Sequence, residues 1–257
     1  MYDLETRNRA ISLMRDGVPN RLVAAQLGVP RGTVGWWRSE DRRRRGEEFV
    51  RPTDCPICTG RDYDRQAYSY LLGLYLGDGH IVSRRKQHHL SVFCGDVWPG
   101  LIDAAEAAMR TVMPLPRTSR RQRPGCTEVK SYTQHWTCLF PQHGPGKKHE
   151  RLIALEGWQQ DIVDAYPWDF LRGLIHSDGC RITNWTTRVV GGVRKRYEYP
   201  RYVFANKSDD IRQLYCATLT KVGVEWTTMA RGSEPFNISV ARRASVALMD
   251  THIGPKY

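Results

Sequence analysis

The sequence predicts a mixed α+β protein, organised as a short all-helical module followed by two pseudo-symmetric halves. Three observations carry this. Helix-like spacing is broken by a tight-turn glycine over residues 4–40, a decapeptide occurs twice, and each copy is followed by polar strand-like stretches and then an apolar helical run.

Residues 4–15 place Leu4, Ala10, Ile11 and Met14 at helical spacing. Gly17-Val18-Pro19-Asn20 interrupts the pattern, and Asn20 is a suitable cap for a second helix. In RLVAAQLGVPRGTVGWWRSE the residues Ala24, Gly28 and Val34 then fall four and ten apart. Ala24 is small where two helices cross, Gly28 supplies the backbone of a tight turn, and Val34 packs the second helix onto the first. About forty residues here resemble the helix-turn-helix of bacterial regulators and recombinases, so residues 1–41 are expected to form a DNA-binding domain. Arg31, Thr33, Trp36 and Arg38 then lie in or beside the helix that would meet bases and phosphates. The charge run DRRRRGEE from Asp41 reads as a helix end or linker, and residues 42–63 as a basic linker carrying Cys55-Pro-Ile-Cys58.

The repeat follows. Tyr70 to Gly79 reads YLLGLYLGDG and Phe170 to Gly179 reads FLRGLIHSDG, an offset of 100 residues from Asp78 to Asp178. It divides the remainder into halves at 64–160 and 161–257, with apolar helical runs at Leu101–Val112 and Ile211–Val222. Small residues four apart, Gly73 with Gly77 and Gly173 with Ser177, let two helix backbones approach closely. Gly79 and Gly179 suit left-handed helix ends. Asp78 and Asp178 would sit at helix C-termini, where the macrodipole disfavours negative charge, and would repel each other if the helices pair. A divalent cation between them reverses the sign of that problem, because hard cations take carboxylate oxygens.

The two decapeptides resemble the paired motifs of LAGLIDADG homing endonucleases in their single-chain form. GKKHERLI and WQQDIVDAYPWDFLRGLIHSDG resemble that family's linker and the approach to its second half. The resemblance covers roughly residues 64 to 254 and implies an αββαββα unit in each half, with two sheets forming a saddle over DNA. It also implies that Asp78 and Asp178 are metal-binding catalytic aspartates holding Mg²⁺ for phosphodiester hydrolysis, one per strand. The sixth motif position, often acidic in the family, is Leu76 in one copy and His176 in the other. A basic residue near the scissile phosphate is expected, with Lys130 and Lys207 as candidates. No splicing-domain ends are recognisable, so the chain reads as free-standing, and the internal pseudo-dimer points to a monomer.

Composition agrees with a nucleic-acid partner. The 257 residues carry 39 lysines and arginines against 27 acids, a formal net charge of +12. So large a surplus calls for an anionic partner, and each neutralised phosphate releases condensed counterions. Basic and aromatic residues interleave in RRKQHH (84–89), RTSRRQRPG (117–125) and VRKRYEYPRY (193–202). Arg84, Arg85, Lys86, Arg120, Arg121, Arg194, Lys195 and Arg196 are therefore expected at DNA. Secretory and membrane classes are disfavoured: the acidic N-terminus is no signal peptide and no apolar run reaches the length of a span. The 7 scattered cysteines argue against a disulfide scaffold, which favours a cytoplasmic, reducing location.

Cys55 and Cys58 form half of a zinc knuckle. Cys138 with His143 would complete a structural Zn²⁺ site, with Cys126 and His149 as the second choice and two unligated cysteines as the alternative. Cys94, Cys180 and Cys216 are expected in the core. The leading expectation is a Mg²⁺-dependent, site-specific double-stranded DNA endonuclease. The alternative is a non-cleaving transcriptional regulator on the same scaffold, with RNA as a lesser third partner.

Overall fold

The computed structural model of the chain describes residues 2–47, 53–84, 87–231 and 234–257, with side chains 230–235 left aside, so Arg85 and Lys86 lie outside the described residues. The chain forms two compact units, Met1–Pro52 and Thr53–Tyr257.

The first unit is three helices, α1 (Leu4–Arg15), α2 (Asn20–Leu27) and α3 (Arg31–Arg44). Asp3 caps α1 by accepting the Thr6 N–H at 2.6 Å. Asn20 does not cap α2. It is already the first helical residue after Pro19, and its side-chain oxygen accepts from Arg38 at 3.0 Å. Gly28 ends α2 in the left-handed region at φ +64, which lets Val29 turn back to bond Ala24 O and start α3 within three residues. Ala10, Met14, Val23, Val29, Val34 and Trp37 form the small core, with Ala24 packed at its edge, while Leu4 is left 70% exposed. The charge run is mostly a continuation of α3, and several of its charges are paired. Asp41 receives Arg15 in two hydrogen bonds (2.5 and 3.2 Å) and also Arg45, while Arg44 pairs with Glu40.

The second unit opens with α4 (Pro56–Thr59). Its first half then runs α5 (Arg65–Leu76), β1 (Gly79–Arg84), β2 (Gln87–Gly95), α6 (Pro99–Val112), β3 (Thr118–Arg123), β4 (Cys126–Ser131) and α7 (Trp136–Leu139). A 3-10 turn at Lys148–Glu150 and α8 (Gly157–Ala165) lead to the second half. That half comprises α9 (Pro167–Asp178), β5 (Gly179–Val190), β6 (Val193–Ala205), α10 (Asp209–Lys221), β7 (Thr227–Arg231), β8 (Glu234–Val240) and α11 (Arg243–His252). Both halves follow the order α-β-β-α-β-β-α, and their antiparallel sheets have matching strand orders, β1-β2-β4-β3 and β5-β6-β8-β7.

Hydrophobic patterning explains the layers. From Tyr68 to Leu76 every residue of α5 is buried, and a helix apolar all round belongs inside a core. In α6 the buried residues Leu101, Ile102, Ala105, Ala108, Met109 and Val112 form a single stripe, laid against one face of the first sheet. That face carries Ile81, Leu90, Val92 and Val129, and its counterpart in the second sheet carries Tyr202, Phe204, Ile238 and Val240. Strand alternation directs the intervening residues to the opposite faces. The second sheet departs from the first in one respect. β8 pairs β6 only over Tyr202–Ala205, so most of the β5–β6 hairpin extends as a two-stranded arm, closed by Gly191 and Gly192 at φ +61 and +78.

Candidate active site and nucleic-acid interface

Helices α5 and α9 pack backbone to backbone. A Cβ on Gly73 would stand 2.5 Å from Phe170 O and 2.8 Å from Leu174 N, and one on Gly173 would strike Tyr70 O. One turn on, Ser177 satisfies its own hydroxyl by donating to Gly173 O and Leu174 O (2.9 and 3.0 Å). The pair ends by delivering both motif aspartates to one place: a Cβ on Gly77 would lie 3.1 Å from Asp178 Oδ2. His176, at the sixth motif position, faces inward. It is hydrogen-bonded to Tyr70 OH at 2.9 Å, and burial, with Arg172 and Lys256 nearby, pushes its pKa down to about 4. It is therefore a neutral packing residue at ordinary pH.

Both aspartates resist ionisation. Burial pushes Asp178 up to about 6, and the Asp78 charge adds to this. The Asn206 amide, 2.6 Å from Asp178 Oδ2, and the ammonium groups of Lys148 and Lys256 act the other way. Asp78 is raised too, chiefly by burial, with Lys256 and then Lys148 opposing. Among the described residues no donor hydrogen-bonds the Asp78 carboxylate, which leaves its oxygens free for a further ligand.

The two glycines after the aspartates are not left-handed caps, contrary to expectation. Gly179 is extended at φ −108, ψ 171, and Gly79 is absent from the positive-φ glycines. They are required by close approach instead. The strand leaves the helix end so abruptly that a Cβ at Gly79 would stand 2.8 Å from Tyr75 O, and one at Gly179 2.7 Å from Ile175 Cα. The carbonyls that a left-handed cap would have satisfied are taken by lysines. Lys148 Nζ donates to Tyr75 O, Leu76 O and Gly77 O (2.5, 3.1 and 2.7 Å), and Lys256 Nζ donates to Ser177 O at 2.9 Å.

Each lysine caps the helix of its own half but acts most strongly on the aspartate of the other. Among acids, Asp178 contributes most to Lys148 and Asp78 most to Lys256. Burial pulls Lys148 down to about 8 and lowers Lys256 as well. Electrostatically Asp178 is thus matched chiefly with Lys148 and Asp78 chiefly with Lys256, through space and with no ion pair between them among the described residues. Asp178 and Lys148 border a cleft of about 600 Å³ lined by His80, His143, Arg151, Asn206 and Lys207 as well. The open face of the first sheet reaches this cleft through His80, whose strand neighbours on that face are Ser91 and, beyond it, Lys130. The second sheet reaches it through Ala205 at the end of β6.

No protein-family model matches the sequence, and no curated protein is similar to it in sequence. Solved structures are similar in architecture. The homing endonuclease I-WcaI bound to its DNA recognition sequence has 13% identity and a TM-score of 0.49, over 77% of this chain and 84% of that one. I-DmoI in complex with DNA and Mn has 11% identity and a TM-score of 0.48, over 75% and 98%. The N-terminal LAGLIDADG domain of DUF199/WhiA has 10% identity and a TM-score of 0.45, over 80% and 95%. At such identities and scores no residue role is carried over from them.

The expected site residues fall into distinct places. Asp78 and Asp178 come together, and Lys207 joins Asp178 in the cleft. Lys130 is on the open face of the first sheet, held 3.1 Å from Glu128, which also accepts from Ser91 and Arg123. The lysines that touch the helix ends, Lys148 and Lys256, were not among the candidates. Their signal is a short echo at the end of each half, Gly-Pro-Gly-Lys-Lys (144–148) and Gly-Pro-Lys (254–256).

Alternation separates the expected DNA contacts. Arg84, Arg121 and Lys195 occupy open sheet faces. Arg120 faces the helix side, where Asp103 and Glu106 hold it at 2.8 and 2.6 Å, so it is not on the open face where it was expected. Arg194 and Arg196 sit on the opposite face of the arm from Lys195, with Arg196 stacked 4.9 Å over Trp185. In the first unit Arg31, Trp36 and Arg38 are exposed along α3 and Thr33 is half-buried. Cys94 and Cys216 are buried as expected. Cys180 is exposed, because it follows the inward Gly179 and so takes the open face. His143 lines the cleft instead, and it is His135 that stands beside Cys55, Cys58 and Cys138. Among the described residues no helix is long and apolar enough to cross a membrane.

Proposed function

We propose that this protein is a divalent-metal-dependent, site-specific endonuclease of double-stranded DNA, with the three-helix unit as an added helix-turn-helix specificity module. The observation that carries this reading is the crossed arrangement at the paired helix ends: two desolvated aspartates, one per half, each opposed by a lysine fixed on the other half's helix. A fold selected for stability alone has no reason to bury two like charges at the negative ends of two helix dipoles.

The donor set fits a hard cation. Asp78 and Asp178 offer carboxylate oxygens, those of Asp78 unbonded by any described donor, and among the described residues no thiol or thioether lines the cleft beside Asp178. Mg²⁺ or a similar ion bound there would lower the pKa of water and stabilise the leaving oxygen. Asn206 holds the Asp178 carboxylate in one orientation. Lys148, pinned by three carbonyls, keeps its ammonium group in a fixed position where charge grows on a scissile phosphate, which is the kind of preorganised electrostatics that lowers barriers most. Lys256 would serve the other strand with Asp78.

The open sheet faces supply the binding surface. A major groove admits a two-stranded β-ribbon, and the β5–β6 arm is such a ribbon, presenting Asn184, Arg188, Lys195, Tyr197 and Tyr199 on one face. A two-stranded ribbon is marginally stable alone and gains order from a partner.

A second reading, a non-cleaving DNA-binding regulator, draws support from the two lysines, whose charges partly offset those of both carboxylates without a cation. Cleavage of a randomised plasmid library in Mg²⁺ separates the two. Double-strand cuts at one sequence, lost in Asp78→Asn/Asp178→Asn, support the enzyme. Sequence-specific binding unchanged in that double variant, with no cutting by the wild type, supports the regulator and refutes the endonuclease.

A further inference from the structure

The second unit carries a cluster of metal-ligating side chains remote in sequence from the aspartates. Cys58 Sγ lies 3.4 Å from His135 Nδ1 and 3.7 Å from Cys138 Sγ, and Cys138 Sγ lies 3.9 Å from His135 Nδ1. With Cys55, the four ligand atoms all fall within 4.8 Å of one another. A tetrahedral zinc with Zn–S of about 2.3 Å and Zn–N of about 2.0–2.1 Å has ligand–ligand edges of roughly 3.5–3.8 Å. The three measured separations bracket that range. A disulfide would need its sulfurs about 2.05 Å apart, and Cys58 and Cys138 are not so placed.

The local structure explains how four separated residues reach one point. Cys55 is the N-cap of α4 and Cys58 its third residue; His135 is the N-cap of α7 and Cys138 its third residue. The two one-turn helices touch, so the pairs Cys55-x-x-Cys58 and His135-x-x-Cys138 present their ligands to each other with the same geometry. Both turns are braced at their ends. The Cys55 N–H donates to Thr53 Oγ1 at 3.1 Å, and Thr59 Oγ1 donates to Cys55 O at 2.8 Å. Trp136 Nε1 donates to Ser131 O at 3.0 Å, and Leu139 O accepts Tyr68 OH of α5 at 2.6 Å. The site is thus preorganised by bonds that do not involve the ligand atoms.

We infer that Cys55, Cys58, His135 and Cys138 bind one structural zinc ion in a closed tetrahedral S₃N site, clasping the segment before α5 to the turn after β4. All four positions are filled by protein, leaving none for a substrate, which is the mark of a structural site. Zinc is favoured over harder divalent ions because three thiolates and an imidazole form a soft to borderline donor set. The clasp lies at the start of the helix whose far end carries Asp78. It does not depend on whether DNA is cut.

The test uses the full chain purified without added chelator. Elemental analysis is expected to give one zinc per chain. After exchange in the presence of Co²⁺, an intense visible absorption with a thiolate-to-cobalt charge-transfer band is expected, which is specific to tetrahedral thiolate ligation. Cys138→Ser and His135→Ala should each lose the metal or weaken its retention against a chromogenic chelator at least tenfold. His143→Ala and Cys126→Ser should retain it. Wild-type protein that folds with no stoichiometric zinc and gives no tetrahedral cobalt spectrum overturns the inference. So does a Cys58–Cys138 disulfide in the metal-free wild type, or full zinc content in Cys138→Ser. Because the cobalt spectrum is read on the wild type, a variant that fails to fold does not blunt the test.

Discussion

Replacing Asp178 by asparagine separates what the carboxylate costs the fold from what it does for a cation. Asp178 has a pKa of about 6 in the folded protein against an ordinary 3.8. A shift of that size corresponds to about 3 kcal/mol, and solvent in the adjoining cleft reduces this to roughly 1–3 kcal/mol. The sign follows from proton binding. The folded state holds the proton more tightly than the unfolded state, so stability falls as pH rises from about 4 to about 6, and the full cost persists above that. Asparagine carries no such cost and can still accept the Asn206 hydrogen bond. Lys148 loses its principal counter-charge in the variant, which trims the gain. Asp178→Asn should therefore melt higher than the wild type by about 2–12 °C at pH 8, using roughly 2–4 °C per kcal/mol for a unit of this size. The difference should shrink toward zero near pH 4. Scanning calorimetry on the full chain, in buffer freed of unbound divalent ions by a chelating resin, makes the measurement. Adding Mg²⁺ should then raise the wild type and leave the variant where it was. A melting difference that is the same at both pH values, or a Mg²⁺ response equal in the two proteins, would refute the reasoning.

Lys148→Met should lower cleavage by about 10²–10³-fold, the range for removing one preorganised charge at a reacting centre, with little change in DNA affinity measured by gel shift in Ca²⁺. Arg188→Ala or Lys195→Ala on the arm should each reduce the slope of log K against log salt by about 1, whereas Arg120→Ala, its guanidinium held by Asp103 and Glu106, should leave that slope unchanged. Gly73→Ala should destabilise the second unit by about 3 kcal/mol in urea, because its methyl group meets the backbone of α9. Gly32→Ala, with open space around its Cβ in α3, should stabilise the first unit by roughly 0.5–1 kcal/mol.

What was legible in the sequence was local or repeated. The paired motifs fixed which helices meet, since Gly73, Gly77, Gly173 and Ser177 lie on one helix face and Asp78 and Asp178 follow one residue later. The α-β-β-α-β-β-α succession was legible because it occurs twice. Features set by the return of the chain were not. Nearness to strands points to Lys130 and Lys207, of which Lys207 lines the cleft, whereas the helix ends are met by Lys148 and Lys256, which arrive from the last segment of each half. The roles of Gly79 and Gly179 differ from the expected ones for a related reason. A left-handed cap is a local remedy for orphan carbonyls, and here the remedy comes from a distant ammonium, so the glycines answer to steric contact alone. His135, not His143, joins the cysteines: the spacing of His135-x-x-Cys138 matches that of Cys55-x-x-Cys58, but it becomes a signal only once the two short helices are seen to meet.

Although the lysines are arranged alike in both halves, the two centres are unequal. By strand register, Asn206 after β6 corresponds to Cys94 in β2, since Gly179 faces Phe204 and Gly79 faces Val92. Asn206 donates to Asp178, whereas Cys94 is buried and turns its thiol toward Leu101 O at 3.7 Å. Asp78 thus lacks the orienting donor that Asp178 has, and the open cleft borders Asp178. A carboxylate with no fixed orientation must be ordered at each turnover, and that ordering subtracts from the stabilisation available to the transition state. The strand served by Asp178 should accordingly be cut first, and a nicked intermediate should accumulate on supercoiled plasmid. Cys94→Asn places a donor where the second half has one and should shorten the lifetime of that intermediate. Equal cutting of both strands by the wild type, with no nicked species at any time, would mean that the asymmetry of the site has no bearing on the chemistry.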